Sequence, residues 1–235
     1  MSLRTAALVP AYNAASSIAA VVTGTQPVLA PVVVVDDGSS DDTAARAAAA
    51  GAEVLRHAVN QGKGAALVTG LQHLATAGIE RALTLDADGQ HLPDQIPLLL
   101  AASDAAPDAI VVGVRRKEGL EIKRVARFGN WFADRVMRWI AGRPLPDTQS
   151  GFRVYPVART LALGTRGTRY DFETEVLLRA ARTGMPVLGV PVAVYYPPVA
   201  ERVSHYRPWA DTVRIIRTVL RVMLGRDAVR RLARS

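Results

Sequence analysis

Between Ala6 and Gly113 the chain repeats one pattern: a short run of consecutive apolar residues, a polar cluster, then an alanine-rich stretch with apolar positions three and four apart. Unbroken apolar runs, as opposed to alternating ones, mark strands buried on both faces. The pattern predicts strands at Ala6–Pro10, Val32–Val35, Glu53–Arg56, Ala82–Leu85 and Ala109–Gly113. Helices are predicted at Ser16–Gly24, Asp42–Ala50, Gly64–Ala77 and Asp94–Ala102. Strands alternating with helices build a parallel sheet covered on both sides, and such sheets bind ligands beyond the carboxyl ends of their strands. Three of the predicted strands end in polar clusters: Tyr12-Asn13, Asp36-Asp37-Gly38-Ser39 and Asp86-Ala87-Asp88. Brought to one edge, these would form one site.

The second half is less regular. Val125, Phe128, Phe132, Val136 and Trp139 recur at helical spacing and predict an amphipathic helix over Ile122–Ala141. A turn-rich stretch, GRPLPDTQSG, follows. A helix is predicted over Tyr170–Thr183, and a strand-like segment, interrupted by Pro191, over Pro186–Tyr196. A long basic helix, Trp209–Arg234, closes the prediction. Charge sharpens this picture. The chain carries +8, but Arg115–Arg143 holds nine Lys/Arg against three acids, and Arg202–Ser235 nine Arg against two. The remainder is net acidic, so two basic segments sit on an acidic body, which suggests two different partners or an arginine-rich solvated surface. There is no cysteine, which excludes disulfides and thiolate metal sites and points to a reducing compartment. No apolar run approaches the length of a bilayer span.

Several familiar sites are excluded by spacing. No GxGxxG follows the first strand. Gly62-Lys63-Gly64 lacks the Ser/Thr and the upstream Gly of a phosphate-binding P-loop. Counted from Asp86, position 12 of a calcium loop is Pro97 where a bidentate Glu is needed. Four histidines without HExxH argue against a zinc hydrolase. What remains is an all-oxygen cluster, and carboxylate and amide oxygens suit hard cations such as Mg²⁺ or Mn²⁺. Asp88 and Gln90, two apart after a strand, are placed to face one ion. Asp86 and Asp88 are like charges in close company, and the expected compensation is a divalent cation that arrives with the substrate.

Four segments in order, Val9–Asn13 (VPAYN), Val33–Thr43 (VVVDDGSSDDT), Asn60–Leu67 (NQGKGAAL) and Leu85–His91 (LDADGQH), resemble the motifs of the inverting family 2 glycosyltransferases. Asp147–Pro156 (DTQSGFRVYP) and Tyr170–Ala180 (YDFETEVLLRA) resemble the branch that includes dolichyl- and polyprenyl-phosphate mannosyl- and glucosyltransferases. The resemblance implies a GT-A fold, Rossmann-like, with a mostly parallel central sheet and helices on both faces. It implies a catalytic domain over 1–200, with a nucleotide-sugar half to about 113 and an acceptor half beyond, followed by a basic amphipathic segment over 201–235. It also implies a GDP- or UDP-hexose donor and Mg²⁺ or Mn²⁺ as cofactor.

Carried over by motif, Pro10, Tyr12, Asp36 and Asp37 hold the nucleoside. Asp86 and Asp88 are the DxD pair, with Asp88 and Gln90 nearest the metal. Lys63 lies near the nucleotide or is a solvated loop lysine. Ser39 and Asp41 read as a turn and a helix cap. A divalent cation at the leaving diphosphate stabilises its developing charge. A lipid-phosphate acceptor needs cationic positioning more than a base, and Arg115, Arg127, Arg153 and Arg202 are the candidates. Arg153 follows the motif most closely, with a structural salt bridge as its alternative. Glu173 and Glu175 point differently along their helix, and Glu173 is the candidate to face the acceptor. Asp88, Arg153 and Glu173 are thus the expected catalytic residues.

The C-terminal segment departs from the family, many of whose lipid-phosphate members carry transmembrane helices there. Trp209, Val213, Ile216, Leu220 and Met223 form one stripe, and Arg214, Arg217 and Arg221 another. That pattern fits a helix lying on anionic lipid, or one packed on the core or on another subunit. Ser204-His205 replaces an expected Ser-Lys, which leaves the exact acceptor and sugar open. The expected function is transfer of a hexose to a polyprenyl-phosphate-type lipid at the cytoplasmic face of a membrane, without a nucleic-acid partner. The alternatives are transfer to a hydroxyl, and a non-catalytic protein that binds nucleic acid or membrane.

Overall fold

The computed structural model describes residues 3–115, 145–195 and 208–224. Seven strands form one sheet: β1 (Thr5–Ala11), β2 (Val32–Asp36), β3 (Glu53–Arg56), β4 (Arg81–Thr84), β5 (Ile110–Arg115), β6 (Arg153–Pro156) and β7 (Val187–Val192). Their spatial order is β3-β2-β1-β4-β6-β5-β7. All neighbours are parallel except those of β6, which runs antiparallel to β4 and β5. The helices are α1 (Ile18–Thr25), α2 (Thr43–Ala49), α3 (Lys63–Thr76), α4 (Ile96–Ala105), α5 (Val157–Ala162), α6 (Asp171–Thr183) and α7 (Pro208–Leu224). The sheet is shared by residues of both halves of the chain.

The apolar runs become strands for the reason their pattern gave. Val32–Val35 is β-branched throughout and buried throughout, as a strand covered on both faces requires. Alternate residues serve opposite layers. Leu8, Val33 and Val35 join Leu67, Leu71 and Leu74 of α3 and Phe172, Val176 and Leu177 of α6. Val9 and Val34 join Ile18 and Val22 of α1 and Ile96 and Leu99 of α4. Every predicted element of the first half is present within a few residues of its expected bounds.

In the second half, α6 and β7 match their predicted segments. Pro191 is tolerated because β7 is the last strand of the sheet, where a missing N–H faces no further neighbour. The predicted helix Ile122–Ala141 lies outside the described residues, as does the end of the long basic helix beyond Leu224. Two elements escaped the sequence pattern, β6 and α5. β6 is only four residues long, begins with a charged residue and ends with a proline, so it lacks the apolar run that marked the others. Among the described residues no helix is long and apolar enough to cross a membrane.

Helix α3 carries the site and is pressed against the start of α6 through Gly64. A Cβ there would stand 2.6 Å from Phe172 Cβ and 2.8 Å from the carbonyl oxygen of Gly167. Both obstacles are held in the core, so Gly64→Ala should destabilise the fold by about 1–3 kcal/mol, the usual cost of overpacking. Urea unfolding, with a lowered midpoint and an unchanged slope, is the measurement that checks it.

Candidate active site

The register of the sheet brings the three polar strand ends to one edge. Ala11 of β1 lies beside Asp36 of β2, and the N–H of Leu85, just past β4, donates to Leu8 of β1. The loops leaving these strands are then tied together. Asn13 N–H donates to Ser39 Oγ, and Ser40 N–H to Asn13 Oδ1. Asp41 accepts from the N–H groups of Ala15 and Thr43. Ser39 sits in the turn, as its sequence suggested, whereas the cap of α2 is Asp42 and Asp41 stands one residue before it. Ser17 Oγ donates to Ala87 O at 2.6 Å, fastening the start of α1 to the loop after β4.

At the centre stands Lys63, the first residue of α3. Its Nζ lies 2.6 Å from Asp86 Oδ1 and 2.9 Å from Glu173 Oε1, and 5.9 Å from the centre of the Tyr170 ring. The cation that offsets Asp86 is therefore resident in the chain, which corrects the expectation of a cation brought only by the substrate. Gly151 closes one side of the pair: a Cβ there would stand 2.5 Å from Asp86 Oδ1 and 2.8 Å from Lys63 Nζ. Burial works to lower the Lys63 pKa, but Asp86 and Glu173 outweigh it and raise it above its ordinary value. Burial pushes Asp86 up, yet Lys63 beside it holds its carboxyl down at about 2. Asp88 moves the other way: crowding by the surrounding loops, which removes part of its water, and the charge of Asp86 both raise it.

His91, whose role the sequence did not reveal, supports this loop. Its Nδ1 accepts the Asp86 N–H at 3.0 Å, and its ring stacks on Phe152 with centroids 5.0 Å apart. Accepting at Nδ1 puts the proton of the neutral ring on Nε2, and burial lowers the pKa of the imidazole. Asp88 accepts from Gln90 twice, from its N–H at 3.0 Å and from Nε2 at 2.8 Å. The expected pair thus meets at one place, with the Gln90 amide nitrogen spent on the carboxylate and its Oε1 left as the oxygen to offer a cation. Among the described residues no three His, Asp or Glu side chains form a ready-made metal cage.

Of the other expected ligands, Asp37 is tied into the framework. Asp37 is buried, and both its oxygens are occupied: Oδ1 by His57 Nδ1 at 2.7 Å and Gln61 N–H at 2.9 Å, Oδ2 by Gly62 N–H at 2.7 Å. It holds the loop that delivers Lys63. Pro10 is buried within β1, and Tyr12 is half-buried just beyond it. Asp36 is fully buried: Oδ1 accepts from Ser39 N–H, and Arg56 Nε stands 3.1 Å from Oδ2.

Arg153 corrects the sequence most sharply. It is fully buried, and its guanidinium donates to Ser150 O, Thr148 O, Glu173 O and Tyr155 Oη. It braces the turn before β6 against α6 and does not face an acceptor phosphate. Arg115 makes a two-pronged pair with Asp147, Nε to Oδ2 at 2.7 Å and Nη2 to Oδ1 at 2.9 Å. Arg127 and Arg202 lie outside the described residues. Glu175 is spent on Arg179 and on the N–H groups of Arg166 and Gly167, so Glu173 alone of the two faces the site.

Similarity to known proteins runs along most of the chain. The model of glycosyl transferase family 2 matches residues 6–161. The UDP-N-acetylglucosamine–dolichyl-phosphate N-acetylglucosaminyltransferase of Methanococcus voltae is 31% identical over 147 residues, 60% of this chain and 59% of that one. The undecaprenyl-phosphate mannosyltransferase of Micrococcus luteus is 31% identical over 154 residues, 59% of each chain. The chain spans about three-fifths of the length of these relatives. Glucosyl-3-phosphoglycerate synthase from Mycobacterium tuberculosis, solved with phosphoglyceric acid, superposes with a TM-score of 0.72 over 94% of this chain and 80% of that one, at 23% identity. The same enzyme solved with Mn²⁺, UDP and glucosyl-3-phosphoglycerate gives a TM-score of 0.69 over 95% of this chain and 80% of that one, at 22% identity. The shared fold is GT-A.

The Lys63–Asp86 pair has a pH signature. Asp86 titrates lower in the folded chain than the ordinary carboxylate near pH 4, so its contribution is complete above that value and is lost as pH falls toward 2. Urea unfolding should therefore show stability declining between about pH 4 and pH 2. In Lys63→Met the decline should shrink or reverse, because Asp86 and Glu173 would then face each other without a cation. An unchanged acid limb in the variant would refute the pairing.

Proposed function

The chain belongs to glycosyl transferase family 2, and from that premise we propose that it transfers a hexose from a nucleotide sugar to a polyprenyl-phosphate-type lipid, with inversion, at the cytoplasmic face of a membrane. The observation that carries the reading is the charge of the cluster at the strand ends. Asp86, Asp88 and Glu173 meet a single ammonium, Lys63, and the imidazole of His91 is biased toward its neutral form. Among the described residues the cluster is left two negative charges in excess, the complement of one divalent cation.

The residues fit that group. Asp88 and the Gln90 Oε1 are the oxygens that would hold Mg²⁺ or Mn²⁺, with substrate phosphate oxygens and water completing the shell, as is usual for such ions. Bound there, the ion would act as a Lewis acid on the departing diphosphate. The chain's own contribution is positional. Asp37 fixes the loop before α3, so that Lys63 projects at the point where diphosphate charge would gather. Asp86 and Glu173 hold that ammonium protonated and aimed. Tyr12 and Asp36 remain the proposed nucleoside contacts, at the ends of β1 and β2.

A lipid phosphate is largely ionised near neutral pH, its second pKa being about 6, so the attacking oxygen carries its own charge and needs no strong base. Glu173 agrees with that chemistry, since its carboxylate is committed to Lys63. A hydroxyl acceptor would instead need a base at this position. With Arg115 on Asp147 and Arg153 buried, Arg127 and Arg202 are the proposed partners of the acceptor phosphate. The two curated relatives named above are a dolichyl-phosphate and an undecaprenyl-phosphate enzyme, which supports the lipid-phosphate acceptor.

Calorimetric titration with UDP- and GDP-hexoses, with and without Mn²⁺, tests the donor half of the reading. One donor class should bind in a metal-dependent way, and Asp88→Ala should remove the metal dependence and weaken binding at least about tenfold, the equivalent of one charged contact. Donor binding that is equal in wild type and Asp88→Ala would overturn the assignment.

A further inference from the structure

Helix α7 presents two apolar faces, and only one is needed to hold it to the body. On the inner face Thr218, Val219 and Val222 are buried, and Ile215 and Met223 pack with Leu178 of α6. This divides the stripe expected from sequence, because Met223 turns inward. On the outer face Val213, Ile216 and Leu220 are 44%, 52% and 48% exposed. Their spacing of three and four residues places them in one row along the helix. Arg214 and Arg217 are exposed beside them, while the guanidinium of Arg221 turns back to donate to Thr218 Oγ1 at 2.6 Å and stands 3.9 Å from Asp171 Oδ2.

Large apolar side chains scattered singly over a surface are ordinary. A row of three flanked by guanidinium groups has a specific chemical complement. Its aliphatic side chains suit the boundary between headgroups and acyl chains, and its arginines suit the phosphates above. A second copy fits poorly: two-fold pairing of this face on itself would set arginine rows against each other. The charge of the segment agrees, with nine Arg against two acids over Arg202–Ser235.

We propose that the outer face of α7 docks on an anionic membrane surface, with Val213, Ile216 and Leu220 inserted and Arg214 and Arg217 on the headgroups. For its purpose this inference rests on the lipid acceptor proposed above, and the structure links the two sites. Thr218 Oγ1 donates to Asp171 Oδ2 at 2.9 Å, where α6 begins. Two residues further along α6, Glu173 meets Lys63. A docked α7 thereby holds the start of α6, and the cluster it carries, close to the layer in which a lipid phosphate resides.

The test is co-sedimentation of the full chain with vesicles of phosphatidylcholine alone or mixed with phosphatidylglycerol, at low and high salt. The wild type should bind the mixed vesicles, release in high salt and ignore the neutral ones. Arg217→Ala should weaken binding about fivefold, the expected share of one basic residue at an anionic surface. The double variant Ile216→Asp, Leu220→Asp should weaken it at least about tenfold. Both change exposed positions, and lipid-free donor titration and urea unfolding should match wild type. Equal partition onto neutral and anionic vesicles would overturn the proposal. So would binding by the double variant that equals wild type, or a lipid-free dimer of wild type that the double variant dissociates. Because donor binding is read without lipid, failure of the sugar-transfer reading shows there and failure of membrane docking shows in the sedimentation.

Discussion

Everything at the carboxyl edge of the sheet depends on one ammonium placed between two carboxylates. Lys63 opens α3, Asp86 follows β4 and Glu173 lies in the first turn of α6, so the triad joins three elements that are distant in sequence. Burying like charges costs several kcal/mol unless a counter-charge is well placed, and that placement has its own supports. Asp37 clamps the loop that ends at Gly62, with His57 wedged between it and Thr69. Gly151 gives the pair room, and His91 holds the Asp86 backbone from the far side.

This arrangement separates buried charge from exposed charge. Asp37, Arg153 and Glu175 are buried and spend their oxygens or N–H groups on backbone and on neighbouring side chains, which gives rigidity. Asp88 is exposed and Gln90 half-buried, the bonds of their side chains run to each other, and among the described residues they sit where the net charge is negative. The chemistry proposed for the site belongs to the second group, and the precision with which it is held belongs to the first.

What was legible in the sequence was whatever depends on local pattern. Unbroken apolar runs gave the strands, and the polar residues after them gave the edge of the sheet on which a site would form. The Asp88–Gln90 pairing followed from a separation of two residues. What was not legible depends on long-range partners. Nothing near Arg153 in the chain says that it turns inward toward carbonyls of a turn and a helix, and nothing near Lys63 says that its partner follows β4. Strand β6 was hidden because its stability comes from neighbours on both sides and not from its own composition. The amphipathic pattern of α7 was plain, but a helix with two apolar faces does not reveal which of them meets the body.

The antiparallel strand has a consequence for how the polypeptide is made. β4 pairs on one side with β1, which precedes it, and on the other with β6, which is synthesised only after β5 and the long stretch beyond it. As the chain leaves the ribosome, the apolar Ala82 and Leu83 therefore line an open strand edge until Arg153–Pro156 emerges. Open apolar edges are where nascent chains associate wrongly. Translation speed through this interval, and chaperones acting at it, therefore bear on yield.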